Sequence, residues 1–378
     1  MPLVRRGNRG RLRLLGALVV ASLAACGAGS RPLKVGLAGP FSDDVGAPMR
    51  RAAELAVEEI NAAGGVNGRP LELVVRDDYG DPDSAVAVAT ALVDADVVAV
   101  VGHVYSGPTL AAAPVYNAAR ITQISPSSTS PLVTQAGEYT FRVCPSDLQQ
   151  GASLARFAAE RLGFRRGTIL YLNDEYGRGI RATFAREFSA LGGIIDNADP
   201  YLGDTPEVGP FIERLARRST SQFVFVGGNR GEAEAILKVA QARGVKVPFM
   251  GGDALEGLES AGPLAEGAYI SNGYMAGFQT PKNKAFVDAY ARKFPDAPPP
   301  NQPAAATYDA LYLLRGVLAR TGTDAEAIRA AVAAVGRDQP AFAGVTGEIA
   351  FDENGDVPRQ RVIIGQVRGG QVVAVEGL

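Results

Sequence analysis

Apolar runs of strand length alternate with stretches of helical periodicity along this chain, and this alternation restricts its fold more than any other feature. Residues 33–38 and 71–75 are largely apolar, and between them residues 51–63 place apolar side chains at helical spacing. A strand, a helix and a strand in this order form a unit of parallel strands with a right-handed connection. The sequence therefore predicts an α/β fold built on parallel sheets.

The alternation continues and predicts two doubly wound units, the second beginning near residue 147. The predicted helices are 51–63, 82–95, 107–119, 147–162, 177–191, 207–218, 231–243, 282–294, 303–320 and 324–335. The predicted strands are 33–38, 71–75, 97–101, 121–124, 141–144, 168–172, 194–199, 222–226, 247–250, 348–351 and 361–367. Two domains also suit the length of 378 residues, because single cores stop growing at roughly 250 residues. Asn354 and Gly355 predict a hairpin turn between the last two strands.

The first 26 residues have the layout of an export signal and an anchor. An arginine-rich stretch precedes twelve apolar residues, 14–25, which are too short to span a bilayer. Small residues directly before Cys26 resemble the bacterial lipobox, whose cysteine is lipidated. We expect a signal peptide at 1–25, a lipidated N-terminus and linker at 26–32, and a protein held on the periplasmic or cell-surface side by Cys26. The alternative is an ordinary signal peptide with an incidental cysteine.

Charge and cysteine content argue against several other classes of protein. The formal net charge is −2, and five of the arginines lie in the first 25 residues, so the rest of the chain is acidic and has no basic stripe for nucleic acid. No apolar run of 18 residues follows residue 30, which argues against a polytopic membrane protein. Cys144 is the one cysteine besides Cys26, so we expect no disulfide and interpret Cys144 as a small buried side chain.

Motifs of the common catalytic mechanisms are missing from the sequence. It has one histidine, no Walker loop, no nucleophile elbow and no clustered cysteines. We interpret that histidine, His103, as a turn residue. Residues 352–356 begin like a calcium loop, but Val357 takes the place of the required glycine. We therefore expect neither an enzyme nor a bound metal or cofactor.

Polar residues follow the predicted strands at the end of the sheet where doubly wound proteins bind ligands. In the first unit these are Ser106 and the segment 125–130, whose hydroxyls and free amides suit a carboxylate. In the second unit they are Tyr176, Asn229 and Asp253, and here an acid and a phenol suit an ammonium group. Each residue alone could equally be a helix cap or a turn residue. Five such positions on one cleft favour a binding site.

Several motifs in order along the chain resemble the leucine/isoleucine/valine-binding proteins, which are extracytoplasmic solute-binding proteins of ABC importers. The motifs are the segments 33–36, 60–68, 77–82, 102–103, 124–129, 176–177 and 249–253. The resemblance implies the type I periplasmic-binding fold, in which two α/β lobes are joined by a hinge of three crossovers. It implies lobe 1 at 33–147 plus 277–345 and lobe 2 at 148–276 plus 346–378.

The resemblance also implies a role for each candidate site residue. Ser106, the backbone of Ser127 and the hydroxyl and N–H of Thr129 would hold an α-carboxylate. Tyr176 and Asp253 would meet the α-ammonium group.

Other positions depart from the pattern of that family. Asn229, also expected at the ligand, replaces a common aromatic residue, and Gly80 and Tyr105 replace a cysteine pair. Asp43 and Asp44 follow the first strand, where they favour a helix N-terminus or meet a cationic substrate. These departures leave the identity of the ligand's side chain open.

The sequence thus predicts a lipid-anchored solute-binding protein that delivers an amino acid or related small zwitterion to an ABC permease. The expected partners are the ligand, the permease subunits and, through the lipid, a membrane. An alternative in the same fold is a binder of an amide, a urea or a carboxylic acid. A second is a sensory input protein, and an unrecognised hydrolase is disfavoured by the single histidine.

Overall fold

The computed structural model describes residues 1–2, 31–203, 207–218 and 220–376. The predicted signal peptide at 1–25 lies almost entirely outside these residues, and so does Cys26. None of the helices in the described part of the chain combines the length and apolar character needed to cross a membrane.

The first sheet has five parallel strands in the order β2-β1-β3-β4-β5. The strands are β1 (Leu33–Gly39), β2 (Leu71–Asp77), β3 (Ala99–Val101), β4 (Thr122–Ser125) and β5 (Thr140–Arg142). The helices between them are α1 (Gly46–Ala62), α2 (Pro82–Asp94) and α3 (Ser106–Ala119). Side chains of α1 join one core cluster of the sheet, and those of α2 and α3 join another. The two central strands β1 and β3 are consequently buried almost throughout, as expected of a parallel sheet covered on both faces.

The second sheet has seven strands in the order β14-β13-β10-β9-β8-β6-β7. The strands that precede the last crossover are β6 (Arg166–Leu172), β7 (Ile194–Tyr201), β8 (Val224–Gly227), β9 (Phe249–Gly251) and β10 (Tyr269–Asn272), all parallel. The helices are α4 (Asp147–Arg156), α5 (Glu175–Ala190), α6 (Gly209–Arg218) and α7 (Arg230–Ala242). Residues of α4 and α5 form one core cluster of this sheet, and residues of α6 and α7 form the other.

The last hundred residues return to the first sheet and then rejoin the second. The elements are α8 (Pro281–Lys293), α9 (Gln302–Thr321), α10 (Ala325–Ala333), β11 (Phe342–Ala343), β12 (Glu348–Ile349), β13 (Ile363–Arg368) and β14 (Gln371–Glu376). Side chains of α9 and α10 pack in the core of the first sheet, whereas β13 and β14 extend the second. The chain therefore passes between the sheets three times. The predicted α/β class is confirmed, and every predicted helix and strand overlaps an observed one.

One detail of the prediction for the C-terminal region is wrong. Asn354–Gly355 does not connect paired strands, because β12 pairs with β11 while β13 pairs antiparallel with β10 and β14. The hairpin lies instead between β13 and β14, where Gly369 and Gly370 both have positive φ, the backbone that its tight turn requires. Phe351 packs in the core of the first sheet, so residues beyond 345 also contact that sheet.

Candidate functional site

The carboxyl ends of the two sheets face each other, and the lobes touch there through side chains. Glu256, which follows β9, accepts hydrogen bonds from the backbone N–H of Gln302 at 3.1 and 3.3 Å. Gln302 is the first residue of α9 in the other lobe, and its side chain donates to the carbonyl oxygen of Pro126 at 3.1 Å. Arg230 of lobe 2 pairs with Asp44 of lobe 1 at 2.7 Å. These contacts join the strand ends of the two lobes, and we take the region between them as the candidate interlobe cleft.

Ser106 and the segment 125–130, which we call the serine loop, form the lobe 1 wall of this cleft. Ser106 begins α3 and is buried, and its Oγ accepts a hydrogen bond from the N–H of Ser130 at 3.2 Å. The carbonyl oxygen of Thr129 accepts from the N–H of Asp147 at 2.8 Å. The structure therefore brings Ser106 and Thr129 together, at the N-terminus of one helix and beside the start of another.

Two hydroxyls of the serine loop are used to hold the loop itself. The Oγ of Ser125 accepts from the N–H groups of Ser128 and Ser127 at 2.9 and 3.4 Å. The Oγ of Ser128 lies 2.6 Å from that of Thr109 and donates to the carbonyl oxygen of Val104 at 3.0 Å. Ser125 and Ser128 therefore hold the loop in place, and Ser127 and Thr129 remain the candidates of this loop for contact with a ligand.

Tyr176 and Asp253 lie side by side on the lobe 2 wall. Tyr176 is in the first turn of α5 and is 8% exposed, and its hydroxyl has no hydrogen-bond partner in the described chain. A Cβ on Gly252 would come within 2.4 Å of that hydroxyl, so glycine is needed directly before Asp253. The N–H of Asp253 donates to Oε1 of Gln150 at 3.2 Å. A phenol and a carboxylate thus meet at one point of the wall.

Asp147 is a further candidate residue, which the sequence pattern did not single out. It is fully buried at the start of α4, and both of its carboxylate oxygens lack a hydrogen-bond partner within the described chain. A Cβ on Gly179 of α5 would lie 2.4 Å from its Oδ2, so the carboxylate sits tightly against that helix. An acid in the first turn of a predicted helix is usually explained by the helix dipole. The signal that identified the other residues also applies here, since Asp147 follows the end of β5.

The electrostatics of the cleft favour a positively charged group. Burial raises the pKa of Asp147 well above its usual range, and the charge of Asp253 adds to this while the Thr129 hydroxyl and Arg142 partly offset it. Burial also raises the pKa of Asp253 to about 7 and that of Tyr176 well above its usual range. Arg142 is already paired with Asp356 at 3.0 Å. A ligand cation would therefore supply the counter-charge that these carboxylates lack.

Asn229 and Asp43 are engaged with the protein itself. Asn229 is the N-cap of α7 in a capping box with Glu232, whose carboxylate accepts from its backbone N–H at 2.5 Å and from its side-chain amide at 3.2 Å. Asp43 accepts from the N–H of Gly46 at the start of α1, in agreement with the prediction of a helix N-terminus, and from the hydroxyl of Tyr105 at 2.9 Å. These residues shape the rim of the cleft.

A separate cavity of about 350 Å³ lies away from this cleft. It is lined by residues that include Arg166, Asp196, Phe211 and Arg214. Arg166 begins β6, so this cavity lies near the amino end of a strand whose carboxyl end leads to Tyr176. No group of three or more histidine, cysteine or acidic residues in the described chain is arranged to hold a metal ion.

Comparison with known proteins gives a consistent result over nearly the whole chain. A family model described as periplasmic binding protein matches residues 33–371. The leucine-, isoleucine-, valine-, threonine- and alanine-binding protein of Pseudomonas aeruginosa is 32% identical over 94% of this chain and 95% of its own. An ABC transporter substrate-binding protein of Desulfitobacterium hafniense, solved with leucine, has a TM-score of 0.79 and 30% identity over 92% of this chain and 100% of its own. A branched-chain amino acid transporter substrate-binding protein of Streptococcus pneumoniae, solved with isoleucine, has a TM-score of 0.83. It is 28% identical, over 92% of this chain and 99% of its own.

Proposed function

The chain belongs to the periplasmic binding protein family, and from this premise we propose that it is the extracytoplasmic substrate-binding protein of an ABC importer and takes an amino acid or a related small zwitterion. The proposed function includes no chemical step. The relatives named above bind leucine, isoleucine and related amino acids, so L-leucine is the first probe.

The observation that carries this proposal is the division of the cleft into two chemically different walls. Lobe 1 offers the hydroxyls of Ser106 and Thr129 and the amides of the serine loop, which suit a carboxylate. Asp253 and the Tyr176 hydroxyl lie opposite. Asp147 lies next to Thr129, whose carbonyl oxygen accepts from its N–H, and its carboxylate is buried without a hydrogen-bond partner in the described chain. Burying a carboxylate is costly unless it is paired, so an α-ammonium group placed here would remove the cost of burying these carboxylates.

Binding would be coupled to the relative position of the lobes. A ligand that contacts both walls stabilises the closed arrangement by the contacts it makes only there. The protein's own bridges, Glu256 to Gln302 and Arg230 to Asp44, support the same arrangement. The ligand's differential affinity would therefore decide how far the cleft stays closed.

Calorimetry with L-leucine, N-acetyl-L-leucine and L-leucinamide tests the proposal. Acetylation removes the positive charge and amidation removes the negative one, so both derivatives are expected to bind far more weakly to the native protein. In Asp253→Ala, N-acetyl-L-leucine should bind only slightly more weakly than L-leucine, because the counter-charge for the ammonium group is already gone. Equal losses in the native protein and the variant would contradict the role of Asp253.

A ligand without an ammonium group is the second candidate. The observation that favours it is the pKa of Asp253, raised to about 7 by burial, because a protonated Asp253 can donate a hydrogen bond to an amide or a carboxylic acid. A thermal-shift screen that includes amides, ureas and carboxylic acids separates the two candidates. Saturable binding of a compound lacking any amine, with none by amino acids, would replace the first proposal by the second.

We also propose that lipidated Cys26 tethers the protein to a membrane. The proposal rests on the small residues before Cys26 and on an apolar stretch too short to span a bilayer. Cys26→Ser removes the acyl acceptor, so the variant is expected to lose both acyl label and membrane association when labelled cells are fractionated. Retention of both in the variant would refute the anchor.

A further inference from the structure

The single histidine of the chain lies directly behind the serine loop, in a group that the proposed function does not use. His103 is fully buried, as are Asp78 and Tyr116 on either side of its ring. Its Nδ1 lies 2.5 Å from Oδ2 of Asp78, and its Nε2 lies 3.2 Å from the hydroxyl oxygen of Tyr116. His103 is therefore more than the turn residue of the sequence analysis, because both ring nitrogens have a buried partner.

The partners define where the protons lie. A carboxylate only accepts hydrogen bonds, so Nδ1 of His103 carries the proton in its contact with Asp78. Burial and the charge of Asp78 raise the pKa of Tyr116, so its hydroxyl keeps its proton beside Nε2. The ring is consequently held in one orientation by a contact at each nitrogen.

This group joins the ends of three strands. Asp78 directly follows β2 and His103 follows β3, and these two strands flank β1 in the sheet. The N–H of Asp78 donates to the carbonyl oxygen of Gly39 at the end of β1, at 3.2 Å. A Cβ on Gly102 would come within 2.2 Å of the carbonyl oxygen of Ala38, so glycine is needed for β3 to approach β1 this closely. The Asp78–His103 hydrogen bond thus spans the end of β1.

The backbone of His103 continues the connection into the serine loop. Its carbonyl oxygen accepts from Oγ of Ser125 at 2.8 Å and lies 3.3 Å from Oγ of Ser128. The Oγ of Ser125 in turn accepts from the N–H of Ser128 at 2.9 Å. An unbroken series of contacts therefore leads from Asp78, through the His103 residue, to the loop that follows β4.

We propose that His103 is a positioning residue, which Asp78 and Tyr116 hold in place so that its carbonyl oxygen fixes the serine loop for binding a carboxylate. The inference rests on the proposed function, because the proposed function assigns the carboxylate of the ligand to the serine loop. Side-chain networks of this kind add rigidity when every member has a partner. A loop held before the ligand arrives does not have to be ordered on binding, which favours affinity.

Hydrogen exchange in the full-length protein without ligand tests the inference independently of any ligand. His103→Leu removes both ring contacts and should speed the exchange of amides in 125–130, while amides of 269–272 in the other lobe stay protected. His103→Asn keeps a donor near the position of Nδ1, so protection of the serine loop should be restored. Unchanged exchange of the loop in His103→Leu would overturn the inference. Equal loss of protection in both lobes would also overturn it, since that indicates a general effect on folding.

Binding of L-leucine and L-leucinamide supplies the second readout. The native protein should prefer leucine, and Ser125→Ala, which breaks the link to the loop without altering the ring, should reduce this preference about tenfold. Ser125→Ala also covers the case in which His103→Leu does not fold. A native protein without any preference for leucine would refute the proposed function and leave the exchange result to decide the inference. A native preference that Ser125→Ala leaves intact would refute the inference alone.

Discussion

The two walls of the cleft are built on opposite principles. On lobe 1, Ser125 and Ser128 are hydrogen-bonded within the protein, and they hold the serine loop in place before any ligand arrives. Toward lobe 2, the carboxylate of Asp147 and the hydroxyl of Tyr176 are buried without a partner in the described chain. Satisfied buried groups stabilise a fold, whereas unsatisfied ones reduce its stability. One wall is therefore preorganised, and the other favours a ligand because its own groups are incompletely satisfied.

The largest expected effect comes from removing the charge of the unsatisfied wall. Asp147→Asn should weaken the binding of L-leucine by roughly 2–5 kcal/mol, as when one partner of a buried charge pair is truncated. The same variant should raise the unfolding temperature of the ligand-free protein at pH 8. There the high pKa of Asp147 makes ionisation in the folded state costly, and asparagine has no such cost. Calorimetry and thermal unfolding measure the two opposite changes.

Asp309 provides the matched control. It is also buried, but its carboxylate accepts from the N–H groups of Val345 and Thr346 and from the Thr346 hydroxyl, at 2.7 to 2.9 Å. Burial also raises the pKa of Asp309, to about 6, but an asparagine oxygen cannot accept all three of these hydrogen bonds, so Asp309→Asn should lower the unfolding temperature and leave leucine affinity unchanged. If Asp147→Asn behaves like Asp309→Asn, Asp147 is a structural residue and the contrast between the walls is wrong.

The next largest effect is expected on the preorganised wall. Thr129→Ala removes one hydrogen bond to the carboxylate and should weaken leucine binding by about 1.5–3 kcal/mol. The penalty for N-acetylation should stay close to that of the native protein, because Asp253 and Tyr176 are unchanged. Thr122→Ala, near the other end of β4, serves as the control. A change in the N-acetyl penalty in Thr129→Ala would show that the walls are not separate.

A smaller effect follows from pH. Asp253 must lose its proton to receive an ammonium group, so leucine affinity should rise about tenfold per unit as pH increases toward 7 and then level off. Calorimetry in buffers of different ionisation enthalpy should detect release of a proton on binding. Asp253→Asn should abolish this release, and an unchanged release would assign the proton to another group.

Stability should change with pH in the opposite direction. The pKa of Asp253 rises from 3.8 to about 7 on folding, so between these values the folded protein binds more protons than the unfolded chain. Its contribution to stability is therefore present at low pH and is lost as pH rises through about 7. The unfolding temperature of Asp253→Asn should decrease less over this range than that of the native protein.

The sequence was sufficient for most of the fold because parallel strands and covering helices leave strong local patterns. β1 and α1 each show their own periodicity, and the sheet rule then places Ser106, Thr129, Tyr176 and Asp253 at the correct edges without knowledge of tertiary contacts. Strands of the C-terminal region were harder to predict. The partner β10 is distant from β13 in sequence, so the nearby Asn354–Gly355 turn was a misleading signal.

Asp147 and His103 show what local patterns cannot reveal. Their neighbours along the chain explain them as a helix start and a turn, and both explanations hold locally. The unpartnered carboxylate of Asp147 and the partnered ring of His103 arise from burial. This burial depends on contacts with Gly179 in the first case and with Asp78 in the second. The sequence therefore predicts which strand ends carry polar side chains, but not which of those side chains the fold leaves without a partner.

The smallest effect is expected at the rim of the cleft, whose side chains are neither preorganised nor buried without a partner. Asp44 is 80% exposed and pairs with Arg230 across the cleft, and exposed ion pairs contribute about 0–1 kcal/mol. Asp44→Asn should weaken leucine binding by no more than this, and added salt should remove the difference by screening. Asp288→Asn breaks a similar exposed pair within α8, away from the lobe contact, and should leave binding unchanged. If Asp44→Asn loses more leucine affinity than Thr129→Ala, and the loss remains when salt is added, Asp44 contacts the ligand. The unsatisfied acidic wall would then extend into lobe 1, and a ligand with a second positive charge would suit the cleft better than leucine.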